Sequence, residues 1–202
     1  MVGLILFTVM ATWFRGRELM LAERRRAEGS LQAFVEDLRT RDFPVARVSG
    51  TGVFLSRGKE TVPLAMQACV DHLHSLPEHA IILSMVDLPA PRVRPLDRLE
   101  IDDLGYKDDG ISYVRARHGY AEHYDVPRLV RQVAEAGVES PVDTRDTSFY
   151  LSRIELTAGD GSGMRRWRKQ LFLATALFAA EPADYFGLPR KRTITLSSEI
   201  EF

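Results

Sequence analysis

The chain has 202 residues, which is enough for one sizeable domain or for a domain with an extension. Its 27 basic and 28 acidic residues nearly cancel, which argues against a nucleic-acid-binding protein, because such proteins normally carry an excess of Lys and Arg. The single cysteine, Cys69, excludes an internal disulfide, and its place in the pattern VPLAMQACVDHL favours a buried thiol over a nucleophile.

The first segment, residues 1–14, carries no charged side chain and is followed by arginines. A secretory signal places its positive charges before the apolar run, so this order argues against one. A helix of this length spans roughly 21 Å, short of the roughly 30 Å hydrocarbon thickness. We therefore predict that residues 1–16 are the end of a longer transmembrane helix, with Trp13 and Phe14 at the interface and Arg15 and Arg17 on the cytoplasmic side. A buried helix of a soluble protein is the alternative.

A helical connector is predicted over residues 17–44. Ser30 precedes an apolar pattern at helical spacing, which indicates an amphipathic helix capped by this serine and ending at Pro44. The residues of that pattern are Leu31, Phe34, Val35 and Leu38.

Residues 45–202 alternate between strand-like and helix-like segments, which predicts an α/β domain with a mixed β-sheet flanked by helices. The predicted strands are VARVSGTGVFLS, AIILSMVDL, the antiparallel hairpin RLEIDDLGY with GISYVRARHGY, TSFYLSRIEL and RKRTITLSSEIEF. The predicted helices are VPLAMQACVDHLHSL, DVPRLVRQVAEAG and GMRRWRKQLFLATALFAA.

Glycine-rich loops give weak evidence for nucleotide binding. Gly50-Thr51-Gly52 lacks the third glycine of a dinucleotide fingerprint, and the sequence has no Walker lysine motif. These glycines are better explained by close approach of backbones within the sheet. The loop 159–163 precedes a basic helix and could hold an anion, but a flexible solvated loop is favoured.

Histidine clusters give equally weak evidence for catalysis or metal binding. His72 and His74 point about 200° apart on a helix and cannot share an ion with Asp71, so we interpret them as surface residues. His118 and His123, with Glu122 between them, could form an acid–base group, but no nucleophile at recognisable spacing accompanies them. We predict no catalytic, cofactor-binding or metal-binding residues, and hence a protein that is not an enzyme.

Six aromatic residues in the second half of the chain are expected to lie in the core. No interleaved basic stripe accompanies them, so a base-stacking platform is disfavoured. They are Phe149, Tyr150, Trp167, Phe172, Tyr185 and Phe186.

The order of these segments resembles the C-terminal part of bacterial KUP-type potassium uptake transporters along the whole chain. LFTVMATWFRGRELM is similar to the end of their last transmembrane helix, and VSGTGVFLSR is similar to the motif that opens their cytoplasmic domain, with Gly50 and Thr51 matching and Ser49 in place of the usual proline. ISYVRARHGYAEHYDVP resembles a further family segment through Gly119 and Tyr120.

The most specific resemblance lies in TSFYLSR, GMRRWRKQLF and ADYFGLPRKRTITLSSEIEF. Ile154 and Glu155 depart from the glutamate that usually follows the arginine, which puts a pairing role of that glutamate in doubt. The matching residues are Tyr150, Leu151, Arg153, Met164, Trp167, Arg168, Phe172, Asp184, Phe186 and Pro189.

The resemblance implies a potassium:proton symporter in the inner membrane, whose twelve-helix body contains the ion pathway and lies outside this chain. Residues 17–202 would then form its cytoplasmic accessory or regulatory part, a homodimer in contact with the remainder of the transporter. Because some family members respond to cyclic di-AMP, that dinucleotide is an expected regulatory ligand, with no site residues assigned. The alternative is a standalone soluble nucleotide-binding or stress-type α/β module.

Overall fold

The computed structural model describes residues 2–41, 44–107, 109–137, 146–157, 167, 168, 171 and 182–201. For residues 2, 4, 5, 155–157, 182, 184 and 199–201 it describes the backbone alone. In chain order the helices are α1 (Val2–Glu28), α2 (Leu31–Thr40), α3 (Leu64–Leu73), α4 (Pro95–Arg98), α5 (Val126–Ala136) and α6 (Pro182–Tyr185). The strands are β1 (Ala46–Ser56), β2 (Ser75–Leu88), β3 (Leu99–Asp102), β4 (Ile111–Gly119), β5 (Thr147–Thr157) and β6 (Thr193–Glu201).

The six strands form one mixed sheet in the order β3-β4-β2-β1-β5-β6. Strand β3 pairs antiparallel with β4 at one edge, and the other neighbouring strands are parallel. The central strands contain continuous apolar runs, as expected for strands that are covered on both faces. The predicted α/β class, the mixed sheet and the β3–β4 hairpin are therefore confirmed.

Each face of the sheet is covered by a separate apolar cluster. On one face, α2 and α3 pack on alternate residues of the central strands, among them Phe54 and Ile82. On the other face, α5 packs on the residues that point the opposite way, such as Val53 and Ile81. Cys69 lies in the first cluster and is buried, as predicted.

Side-chain caps begin two of the helices, and the first of them is the predicted cap Ser30. Ser30 Oγ accepts a hydrogen bond from the Ala33 N–H at 3.5 Å and begins α2. Asp125 Oδ1 accepts one from the Arg128 N–H at 2.9 Å and begins α5, which ends at Gly137 with a φ of 81°.

Several predicted boundaries are wrong, among them the start of β2, which is Ser75 and not Ala80, and the end of β3, which is Asp102 and not Tyr106. Two others have a visible cause. The helix expected to reach Leu76 ends at Leu73, because His74 adopts a left-handed conformation with a φ of 49° and the chain continues as β2. The last strand begins at Thr193, because residues Arg190–Arg192 form a 3-10 turn after Pro189. Most of the helix predicted over residues 163–180 lies outside the described residues, although Trp167, Arg168 and Leu171 are helical.

Helix α1 continues without a break across the predicted boundary between residues 16 and 17. No helix among the described residues combines the length and apolar character that a membrane crossing requires. The division at residue 16 and the transmembrane origin of residues 1–16 stay predictions.

Candidate functional site

The parallel strands of the sheet all end at one edge, which we call the carboxyl edge. The chain passes from β1 through α3 to β2 and then β4 on one side, and α5 returns it to β5 and β6 on the other side of β1. The strand order therefore reverses between β1 and β5. Open α/β sheets bind ligands outside the carboxyl ends of their strands at such a reversal.

The C-terminal end of α1 is bound to α3 at this edge, and the start of α2 is bound to the loop that precedes α3. Gln67 Nε2 donates to the carbonyl of Glu28 at 2.5 Å, which satisfies a carbonyl that the helix end leaves unpaired. Gly29 ends the helix with a φ of +64°, and the N–H of Leu31 then donates to the carbonyl of Glu60 at 3.1 Å. These bonds hold α1 against α3 and α2 against the β1–α3 loop.

A second contact binds α1 near its N-terminal half. Arg168 Nε donates to Thr12 Oγ1 at 3.1 Å, and Thr12 is only 1% exposed. Thr12 and Glu28 are separated by roughly 24 Å along the helix axis. Helix α1 therefore lies against the α/β domain at two separated points, with contacts to α3 and β6.

Charged side chains lie close together where β1 ends, near the C-terminal half of α1. Burial is the main cause that lowers the pKa of Arg57, and the nearby charge of Arg24 lowers it further. Glu28 opposes this shift and forms a largely buried ion pair with Arg24. This part of the carboxyl edge is thus occupied by the protein's own helix.

The first turn of α3 also has an internal partner. The N–H of Ala65 donates to Ser152 Oγ of β5 at 2.9 Å. In dinucleotide-binding folds the helix after the first strand offers such N–H groups to a phosphate. Here the serine takes one of them, which weighs against the standalone nucleotide-binding module at this position.

The outward face of α1 carries a stripe of apolar side chains, which we call the α1 stripe. Its members are between 42% and 71% exposed and fall within an arc of about 120° around the helix. The buried Thr12 lies outside that arc. The stripe consists of Leu6, Phe7, Met10, Trp13 and Phe14.

Two of the four predicted membrane-interface residues belong to the α1 stripe, and the two arginines follow it along the helix. Trp13 and Phe14 belong to the stripe, whereas Arg15 follows directly and forms an exposed ion pair with Glu18. Arg17 lies two residues after Arg15 and adds to the charge near Arg57. The apolar-to-basic order read from the sequence is therefore also an order along one continuous helix.

A second feature of the carboxyl edge is a cleft of about 350 Å³ beside the ends of β2 and β4 and the start of α5, which we call the arginine cleft. Its lining combines three arginines and two histidines with two carboxylates. The lining residues are Arg92, Arg98, His118, Ala121, Glu122, His123, Asp125, Arg128, Leu129 and Gln132.

Glu122 organises the floor of this cleft. Its carboxylate accepts hydrogen bonds from Arg98 and, at 2.9 Å, from the N–H of Gly119. Burial pushes the pKa of Glu122 upward, but these two hydrogen bonds and the charge of Arg98 outweigh it, so the pKa lies below its usual value. The Glu122 carbonyl also accepts a bond from His118 Nε2 at 2.9 Å.

An aromatic group supports the same end of β4. The rings of His118 and Tyr124 stack at 4.0 Å, and the Tyr124 hydroxyl donates to Asp87. Burial is the main cause that raises the pKa of Tyr124, and the hydrogen bond to Asp87 adds to the rise. Tyr124 therefore keeps its proton and donates a hydrogen bond. We interpret the stacked pair of His118 and Tyr124 as a structural support of β4.

Those residues of the sequence resemblance that the structure describes do not converge on one site. Gly50, with a φ of +113°, and Thr51, which is buried, lie beside Asp146 at the start of β5. Tyr150 stacks on Phe54 at 4.5 Å within the core.

The other matching residues lie at the carboxyl edge and after it. A Cβ on Gly119 would come within 2.6 Å of the Pro91 carbonyl, so the glycine allows close packing there. Phe186 packs edge-on against Tyr124 at 5.6 Å, and Arg168 makes the contact with α1. Tyr120, Arg153, Trp167 and Pro189 are exposed, and the side chain of Asp184 lies outside the described residues.

Two of the aromatic residues expected in the core are placed differently. Trp167 and Tyr185 are 50% and 57% exposed, so that expectation is wrong for both. Tyr185 lies in the short α6 with its ring 4.9 Å from Tyr124, at the surface of the aromatic group. Phe149 is buried as expected.

Among the described residues, no group of three His, Cys, Asp or Glu side chains is placed to hold a metal ion. The anion-binding loop considered at residues 159–163 lies outside the described residues. The cluster that sequence reasoning missed is that of Arg92, Arg98 and Arg128. They come from three separate segments, so no local spacing signals that they meet.

Comparison with known proteins identifies the family of this chain. The family described as "K+ potassium transporter C-terminal domain" matches residues 49–202. The chain belongs to this family. The resemblance to the C-terminal part of KUP-type potassium transporters is thereby confirmed.

Full-length relatives of the family match from one end of the chain to the other. A "Probable potassium transport system protein Kup" of Rhodococcus jostii is 47% identical over 201 residues, covering 100% of the chain and 31% of the relative. Proteins with related names in Chromobacterium violaceum and Agrobacterium fabrum are each 37% identical over 100% and 97% of the chain, respectively. The chain thus spans less than a third of the length of these relatives. No solved structure matches it.

Proposed function

We propose that the chain is a non-enzymatic accessory domain of an inner-membrane potassium:proton symporter and that the ion pathway lies outside it. The observation that carries this proposal is the division of α1 into two faces, one bound to the domain through Thr12 and the other formed by the apolar α1 stripe. Relatives named as potassium transport proteins, of which the chain covers less than a third, support it.

In this proposal the α1 stripe contacts lipid or the helices of the membrane body. Trp13 and Phe14 suit the interface, where aromatic side chains are enriched. Arg15, Arg17 and the cluster 24–26 follow on the side expected to be cytoplasmic, because cytoplasmic segments carry the excess of Lys and Arg. Residues 17–202 are then cytoplasmic.

The way in which α1 is held supports the proposed accessory role. A domain influences a transporter when it interacts more favourably with one conformation than with another. Because α1 is bound at both Thr12 and Glu28, a change in its tilt changes the position of the sheet as well. We further propose that the domain acts as a homodimer, which analytical ultracentrifugation of the full chain in detergent tests directly.

Cyclic di-AMP remains our proposed regulatory ligand on the strength of the family resemblance. Isothermal titration of the full chain with cyclic di-AMP tests it, and an absence of heat at high micromolar ligand would remove it for this protein. The standalone nucleotide-binding module is the second candidate, disfavoured by the Ala65–Ser152 bond at the start of α3.

Membrane attachment is tested by flotation of the full chain with vesicles of phosphatidylethanolamine and phosphatidylglycerol. The wild-type chain is expected to float with the vesicles, and a variant with Phe7→Ser, Met10→Ser and Phe14→Ser is expected to stay in solution. The control variant carries Leu73→Ser and Leu96→Ser, which remove exposed apolar side chains outside α1. Equal flotation of both variants would contradict attachment through the α1 stripe.

A further inference from the structure

The arginine cleft has more positive charge than its own carboxylates can neutralise. Its two acidic residues are already engaged, since Glu122 pairs with Arg98 and Asp125 Oδ1 caps α5 through the Arg128 N–H. With the histidines neutral, three arginines face two carboxylates, which leaves one net positive charge. Cavities of this kind attract anions, because low-dielectric walls concentrate the field.

The guanidinium groups of Arg92 and Arg128 have no carboxylate or hydrogen-bond partner in the described part of the chain. Both residues are exposed at the rim, so solvent and a ligand can reach them. Unpaired arginines that converge on a concave surface are suited to an oxyanion, since each offers several N–H donors in a fixed plane.

Arg98 is held in place beneath them. Its Nη2 donates to Glu122 and, at 3.0 Å, to the carbonyl of Val93. Its Nε is buried and has no partner among the described residues. A buried donor without an acceptor costs free energy, and an acceptor group entering the cleft would relieve that cost.

We propose that the arginine cleft binds the phosphate group of an anionic ligand through Arg92 and Arg128, with Arg98 fixed below by Glu122. A volume of about 350 Å³ is near the lower limit for ligand pockets. It therefore suits a phosphate or diphosphate group, with the remainder of a larger ligand outside. Phosphate is favoured over carboxylate, because its several oxygens can accept from arginines on different elements.

Two sources supply this chemistry. One is a soluble phosphate ester, and the other is the headgroup of an anionic lipid. The lipid is considered because the C-terminal end of α1 and the cleft both lie at the carboxyl edge of the sheet. The inference does not depend on membrane attachment or on cyclic di-AMP, since each of those is tested by its own measurement.

The test is titration of the full chain in a mild non-ionic detergent with inorganic pyrophosphate, followed by calorimetry. We compare the wild type, a variant with Arg92→Gln and Arg128→Gln, and the control Arg131→Gln. Arg131 is an exposed arginine of α5 that does not line the cleft. The lipid arm compares how the same proteins bind nanodiscs with and without phosphatidylglycerol.

Pyrophosphate is expected to bind the wild type and Arg131→Gln equally, and the double variant at least tenfold more weakly. A soluble ligand is indicated if the pyrophosphate arm depends on the two arginines, and a lipid headgroup if only the phosphatidylglycerol arm does. The proposal is overturned if neither arm distinguishes the double variant from Arg131→Gln. Circular dichroism of each variant verifies that it is folded.

Discussion

Replacement of Gly52 by alanine should destabilise the protein, because β1 has no room for a Cβ at this position. The added atom would lie 2.4 Å from Cγ of Pro77 and 3.1 Å from both Cβ of Pro77 and Cε2 of Tyr150. The Pro77 ring belongs to β2, and the Tyr150 ring is stacked on Phe54, so neither can move away freely. Relief of the contact requires the two strands to separate.

The magnitude follows from two opposing effects. Overpacking a core costs about 1–3 kcal/mol, whereas replacing a strand glycine by alanine returns about 0.5–1 kcal/mol of backbone entropy. The difference is about 0–2.5 kcal/mol, so we expect the free energy of unfolding to fall by about 1 kcal/mol. With a urea dependence of about 2 kcal/mol per molar, the unfolding midpoint falls by about 0.5 M.

The assay is urea unfolding of the full chain followed by circular dichroism, with Gly58→Ala as the matched control. No heavy atom lies within 4 Å of the position that a Cβ on Gly58 would take. Its free energy of unfolding is therefore expected to stay the same or to rise by up to about 1 kcal/mol, because alanine lowers the entropy of the unfolded chain. A Gly52→Ala variant as stable as Gly58→Ala would refute the close approach of β1 and β2 described above.

Two further predictions concern α1 and the aromatic group. Thr12→Val removes the acceptor of Arg168 and should therefore accelerate amide exchange in residues 2–16. A hydrogen bond of about 1 kcal/mol corresponds to an acceleration of about fivefold. The control Thr40→Val on α2 should leave the exchange of residues 2–16 unchanged. Because folding raises the pKa of Tyr124, the unfolded state releases the proton first as the pH rises above about 10. Wild-type stability should therefore fall more steeply above that pH than the stability of Tyr124→Phe, and parallel pH profiles would contradict the assignment.

The strands and most helix boundaries could be predicted because the features that set them lie close together in the sequence. Ser30 and Asp125 cap helices from neighbouring positions, and the apolar runs in β1 and β2 reflect burial on both faces. The end of α3 at Leu73 could not be predicted in this way. It depends on the pairing of Ser75 with Ala46 in β1, which is a contact distant in sequence.

The candidate sites depended even more on distant contacts. The apolar-to-basic order of residues 1–17 was visible in the sequence, but the side of α1 that binds the domain is set by Arg168, which is 156 positions away. The arginine cleft joins the β2–α4 loop, α4 and α5, and a sequence pattern cannot show that Arg92, Arg98 and Arg128 meet. The family resemblance identified the chain without locating either feature.

The two attachment points of α1 have a mechanical consequence. A rod fastened at one end can pivot, but a rod fastened at points roughly 24 Å apart transmits torque to whatever holds it. Force applied to the N-terminal turns of α1 would reach β6 and Arg168 first, and α3 second. If the Thr12 contact were weakened, α1 would be held mainly at Glu28 and could pivot there. The sheet would then no longer follow the movement of the helix.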